Sequence, residues 1–128
     1  MMTVASIGKA PGAAESAAAE DPIDVETISS RTASVLAMKM GTSTREDMDS
    51  AMPAIVGHLN LLLCEDLGAD RDQEVRALIR KGYTLIDPSK RPAEGTPSFG
   101  AFLYLRDVAL LTRRLLWIYT ERNGLGAP

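Results

Sequence analysis

Apolar residues recur at three- and four-residue intervals along most of this chain, the spacing of an α-helix that buries one face. Capping residues, glycine and proline mark the ends of four such segments. The pattern predicts helices from Asp21-Pro22 to Gly41, from Thr44 to Gly68, from Asp70 to just before Pro88, and from Thr96-Pro97 to Gly124. No strand pattern or internal repeat competes with these helices. The sequence therefore predicts an all-α fold, a four-helix antiparallel bundle in residues 21–124.

The first 20 residues have a different character. They are rich in Ala, Ser and Gly and show no sustained apolar period. Such a segment buries too little apolar surface to offset the entropy of ordering it. We expect residues 1–20 to form a disordered, flexible arm in front of the bundle domain.

Three local signals refine the helices. Thr44 with Asp47 resembles a capping box at the start of the second helix. Pro53 lies inside that helix, so we expect a kink or a break there. Gly82 lies on the apolar side of the third helix, where glycine costs about 1 kcal/mol relative to alanine. We expect that this glycine allows a neighbouring helix to approach closely.

The last helix carries apolar side chains on two faces. We expect the broader face to be internal, and it contains Tyr104, Val108, Leu111, Leu115 and Ile118. The second face is a narrow line of apolar residues and arginines, which we call the arginine-edged stripe: Phe99, Leu103, Arg106, Leu110, Arg113 and Trp117. Either the bundle covers this stripe internally, with the last helix at its centre, or the stripe contacts another molecule. A protein partner is favoured over nucleic acid or lipid, because Trp and Arg are enriched at interface hot spots.

Composition agrees with one domain and limits its partners. The chain has 128 residues, of which 45% are apolar and only 5% aromatic, so we expect an aliphatic core. Residues 1–70 have 4 basic and 11 acidic residues, whereas residues 71–128 have 10 basic and 6 acidic. The pI of about 5.1 is far from the strongly basic character of dedicated nucleic-acid binders, which argues against nucleic acid as the partner. A DNA-associated regulatory module would use Arg76, Arg80 and Lys81 of the third helix.

Cysteine content and hydropathy bear on location. The single cysteine, Cys64, excludes an intramolecular disulfide and fits a reducing compartment. No apolar stretch reaches the roughly 20 residues that span a bilayer, and the N-terminus lacks the pattern of a secretory signal. We expect a cytoplasmic protein without a membrane partner.

Few residues offer chemistry. His58 is the only histidine and lies on the same side of the second helix as Glu65. These two residues, with an arginine, could border a ligand-binding pocket between helices, although a structural role for His58 is the simpler interpretation. No Glu-x-x-His or His-x-x-x-His pair occurs, so we expect no metal site, no cofactor and no catalytic residue. The helix dipole disfavours Glu65 and Asp66 at their helix end, so we expect them to pair with an arginine of another helix.

Three segments resemble those of a known group of proteins. They are Gly57-His58-Leu59-Asn60-Leu61-Leu62, the helix from Arg76 to Asp87, and the run from Leu105 to Glu121. The resemblance covers roughly Asp24 to Asn123 and is to uncharacterised small helical actinobacterial proteins often found beside natural-product gene clusters. That group ends in His-Tyr-Glu, whereas this chain has Tyr119-Thr120-Glu121. The resemblance implies a helical accessory or regulatory protein of unknown activity, with no catalytic residue to carry over.

These observations favour a non-enzymatic helical bundle that acts through protein contact, as a homodimer or as an adaptor. A small-molecule-binding bundle with a pocket near His58 and Glu65 and a DNA-associated module are the alternatives.

Overall fold

The computed structural model describes residues 23–126, and within them the chain forms a bundle of four α-helices. The helices are α1 (Val25–Ala37), α2 (Arg45–Leu63), α3 (Gln73–Ile86) and α4 (Ser98–Arg122), with a short 3-10 turn at Pro88–Lys90. The predicted all-α, four-helix fold is confirmed. The arm predicted for residues 1–20 lies outside the described residues.

Side-chain caps start the first three helices. Thr44 and Asp47 form the predicted capping box, with nitrogen–oxygen distances of 2.9 and 3.0 Å in its two reciprocal bonds. Asp24 caps α1 by accepting a hydrogen bond of 3.1 Å from the amide of Thr27. Asp72 caps α3.

The predicted starts of α1 and α3 are therefore wrong by a few residues. Aspartates occur at several positions near each start, so the local capping signal is degenerate. α1 begins only after the buried Ile23, and α3 is capped by Asp72 rather than Asp70, just ahead of the buried Val75. The burial of these two apolar residues therefore determines which aspartate caps each helix.

Helix α4 is central among the described residues. It packs against α1, α2 and α3, whereas α1 and α3 do not contact each other. Arg45 at the start of α2 donates a hydrogen bond of 2.6 Å to the carbonyl of Ala93, just before α4. Asp66, just after α2, pairs with Arg122 at the end of α4. The two starts therefore lie near each other, as do the two ends, so α2 and α4 run parallel. α1 and α3 run antiparallel to them, on opposite sides of α4.

The core is mostly aliphatic, as the composition predicts, and α2 and α4 supply most of it, with Ile28, Val35 and Val75 from the other two helices. Fully buried members include Met48, Leu59, Leu62, Val108 and Leu115. The buried hydroxyls of Thr32 and Thr112 each donate a 2.7 Å hydrogen bond to the carbonyl four residues earlier. This local bonding satisfies polar groups that have no access to water.

Two features of α2 and α3 bear on the sequence predictions. A Cβ atom on Gly82 would lie 2.7 Å from Cδ2 of Leu63, so the predicted close approach of a neighbouring helix is confirmed. α2 continues through Pro53 as a single helix, so the break considered above is absent. Proline removes only one backbone donor, and packing on both sides of it holds the helix together.

Candidate protein-contact surface

The arginine-edged stripe lies on the side of α4 that no other described helix covers. Because α1 and α3 flank α4 without meeting, α4 keeps a solvent-facing side opposite α2. Phe99, Leu103 and Trp117 are 59%, 43% and 42% exposed. Arg106 and Arg113 are exposed and Leu110 is half-buried. α4 is therefore central in the bundle, yet residues 23–126 leave one of its apolar faces open.

The stripe has the geometry of a helix-pairing surface. Leu103, Leu110 and Trp117 repeat every seven residues, and Arg106 and Arg113 lie between them. Alternating steps of three and four residues keep these side chains on one line along the helix. The line presents large apolar groups on a backbone that is already ordered.

The two arginines of the stripe differ from their neighbours on the same helix. Arg114 pairs with Glu74 at 3.2 Å, and Arg122 pairs with Asp66 at 3.5 Å. Neither Arg106 nor Arg113 forms a hydrogen bond or an ion pair within residues 23–126. Their charges face solvent without a described counter-charge.

A groove between α1 and α4 borders the stripe at Arg113 and Trp117. Its volume is about 490 Å³, and it is lined by Ser29, Thr32, Ala33, Leu36, Ala37, Arg113, Leu116 and Trp117. The α1 wall has small side chains at four-residue intervals, namely Ser29, Ala33 and Ala37. Such spacing places them on one ridge, where a partner helix can approach closely. The sequence predictions missed this wall, although the run of small residues was visible.

His58 lies at a different place in the bundle. It is half-buried on α2, and its Nε2 atom is buried with no hydrogen-bond partner among the described residues. Burial lowers the pKa of His58, and the positive charge of Arg31 lowers it further, while Asp24 acts in the opposite direction. The lowered pKa favours the neutral ring, and the two charged groups that act on it are the N-cap of α1 and a residue in the middle of that helix.

The structure does not bring His58 and Glu65 together. Glu65 lies just beyond the end of α2, and no hydrogen bond joins it to His58 in the described part of the chain. The five grooves described for residues 23–126 are lined by other side chains. Of the two acidic residues expected to meet an arginine, Asp66 does so through Arg122, and the prediction is confirmed for that residue.

A second groove, which sequence reasoning did not anticipate, lies between α2 and the segment after α3. It has a volume of about 580 Å³ and is lined by Asp49, Met52, Pro53, Val56, Gly57, Asn60, Ile86, Arg91 and Pro92. Its arginine is already engaged, because Arg91 donates through Nε and Nη2 to the carbonyl of Ile86 at 3.0 and 2.7 Å. The wall depends on a loop whose path no helical period could predict.

The basic residues of α3 are exposed, and one of them has a structural role. Arg76 donates a 3.0 Å hydrogen bond to the carbonyl of Ala69, while Arg80 and Lys81 face solvent. These three basic residues make a smaller positive surface than dedicated nucleic-acid binders present.

Cys64 is exposed at the end of α2.

The described residues contain neither a metal-binding cluster nor a membrane-spanning helix. Within residues 23–126 no three His, Cys, Asp or Glu side chains are grouped so as to hold a metal ion. No helix in that range combines the length and apolar character needed to cross a bilayer. Comparison with models of protein families, with curated proteins and with solved structures finds no match to this chain.

Proposed function

We propose that this chain is a non-enzymatic helical accessory or regulatory protein that acts through protein contact, and that the arginine-edged stripe of α4 is its contact surface. One observation carries the proposal. Phe99, Leu103 and Trp117 remain exposed, in helical register, on one of the two helices that pack against every other helix of the bundle. Contiguous apolar side chains with a polar border are typical of surfaces that bind another protein.

The energetics support contact at this surface. Fully burying a large apolar side chain is worth about 1.5–3 kcal/mol. Because these three side chains are about half exposed in the bundle, roughly half of that energy is still available from a partner that covers them. α4 is held on three sides, so a partner would not have to order its backbone on binding. Tryptophan and arginine together are the side chains most enriched at hot spots.

The partner in this proposal is a second copy of the chain or a different protein for which the chain serves as an adaptor. The resemblance to small helical actinobacterial proteins supports an accessory role beside natural-product biosynthesis. A single cysteine, exposed at Cys64, supports a reducing, cytoplasmic location.

Site-specific photo-crosslinking tests the proposal. Leu103→p-benzoylphenylalanine places the crosslinker on the stripe, and Tyr83→p-benzoylphenylalanine, at an exposed position of α3, is the matched control. We expect a discrete adduct from position 103 in the native cells, none from position 83, and loss of the adduct when Leu110→Asp is added. An adduct mass of two chains identifies a homodimer. Equal labelling at both positions, or none at 103, contradicts the proposal.

A further inference from the structure

We infer that the partner of the arginine-edged stripe is an acidic amphipathic helix of another protein, lying along the groove between α1 and α4. This inference rests on the proposed function, because it names the chemistry of the partner at the same surface. Three observations lead to it: the unpaired arginines, the apolar line between them and the small-residue wall of α1.

The unpaired arginines define the charge of the partner. Arg106 and Arg113 are one heptad apart, about 10 Å along the helix axis. The α1 wall beside Arg113 offers only neutral groups, among them Ser29, Ala33 and Ala37. A partner helix with glutamates at seven-residue intervals would place one carboxylate beside each guanidinium, the pairing that arginine makes most strongly.

A second copy of the chain fits this surface less well. A parallel symmetric pairing of α4 helices sets Arg106 against Arg106 and Arg113 against Arg113. An antiparallel symmetric pairing makes like edges meet, so the arginine edge again faces an arginine edge. Like charges placed opposite each other disfavour both arrangements, whereas an acidic partner removes the repulsion.

The apolar line defines the shape of the partner. Leu103, Leu110 and Trp117 match the seven-residue repeat of a helix that lays its apolar side into a groove. The small residues of α1 leave room for that helix beside α4. Nucleic acid would meet the same arginines, but it has no apolar surface to cover the leucines between them.

Trp117 provides a direct readout, since it is the only tryptophan and is 42% exposed. The full-length chain is titrated with two synthetic helical peptides of about three heptads that share one leucine stripe. One peptide has glutamate and the other lysine at the flanking positions. We expect a saturable blue shift of Trp117 emission with the glutamate peptide, and roughly tenfold weaker binding of the lysine peptide.

Charge reversal on the protein supplies the decisive comparison. The Arg106→Glu/Arg113→Glu variant is expected to prefer the lysine peptide, while Arg80→Glu/Lys81→Glu, on exposed positions of α3, leaves the preference unchanged. All four substituted residues are exposed, so circular dichroism should show a wild-type fold for both variants.

Several outcomes overturn the inference and separate it from the proposed function. Equal affinity for the two peptides, or indifference to charge reversal, rejects an acidic partner but keeps the stripe as a contact surface. Dimerisation in light scattering that Leu110→Asp abolishes, without peptide binding, assigns the surface to a second copy. Binding of a DNA duplex in place of either peptide rejects both proposals, as does a monomer that binds neither peptide and gives no crosslink.

Discussion

Two leucines of α4 test whether the stripe is open in the folded chain. Leu103 lies on the stripe and is 43% exposed, whereas Leu115 faces the core and is 0% exposed. Leu103→Ala and Leu115→Ala remove the same atoms from the same helix. Leucine and alanine are both strong helix formers, so propensity contributes little to either change. Any difference in stability therefore reports how well each leucine is packed.

The expected losses differ by at least a factor of about two. Three methylene-sized groups are worth about 2.4 kcal/mol when fully buried. For Leu103 only a little over half of that is at stake, and water fills the vacated space, so we expect a loss below about 1.5 kcal/mol. For Leu115 the cavity adds to the transfer energy, and we expect about 2.7–5.0 kcal/mol.

Urea unfolding of the full-length variants, followed by circular dichroism, measures both values against wild type. The comparison requires equal slopes, because a changed slope would mean a changed unfolded state. Equal losses for the two variants would show that Leu103 is covered in the folded chain. That result would refute an open α4 face and, with it, the argument for contact there.

Three further predictions concern single side chains. The lowered pKa of His58 favours the neutral ring in the folded state, so its stabilising contribution is complete above about pH 6.5 and is lost as the pH falls. The urea unfolding midpoint of the wild type should therefore fall between about pH 8 and pH 5, and His58→Gln should reduce that fall. In the wild type, a Cβ atom at position 82 would clash with a methyl group of Leu63, but in a Leu63→Ala background that methyl group is gone. Gly82→Ala should therefore stabilise the protein by about 1 kcal/mol only in that background, which a double-mutant cycle measures. Arg45→Gln breaks the donation from Nη2 to Ala93 and should cost about 1–2 kcal/mol, with faster tryptic cleavage in the loop before α4.

Periodicity and capping chemistry predicted much of the fold because both act locally. The reciprocal hydrogen bonds of Thr44 and Asp47 involve residues three apart, so the capping box was readable from the sequence. Gly82 was recognisable for a similar reason, since glycine on the apolar side of a helix has few explanations other than close packing. The two-faced character of α4 also follows from its own residue spacing.

Other features depend on contacts between distant segments and left little local signal. Ala101, Ala109 and Thr112 are fully buried in α4, but small or polar side chains do not mark a buried face in a hydrophobic pattern. The groove beside the stripe is lined by residues of α1 and α4, which are far apart in the sequence.

The outward face of α2 offers an internal comparison for that of α4. Both helices occupy the centre of the bundle, so each has one side turned away from the other. On α2 and its C-cap the exposed outward positions are mostly small or polar, including Ser50, Gly57 and the capping Cys64, with Leu61 as the one large aliphatic residue. On α4 the corresponding side carries Phe99, Leu103, Leu110 and Trp117. The geometry of the bundle does not require large apolar residues at such positions, because α2 takes the same kind of place in the bundle with mostly small or polar ones. The apolar character of the α4 face therefore calls for an explanation outside the packing of residues 23–126, which is the role of the partner helix in our proposal.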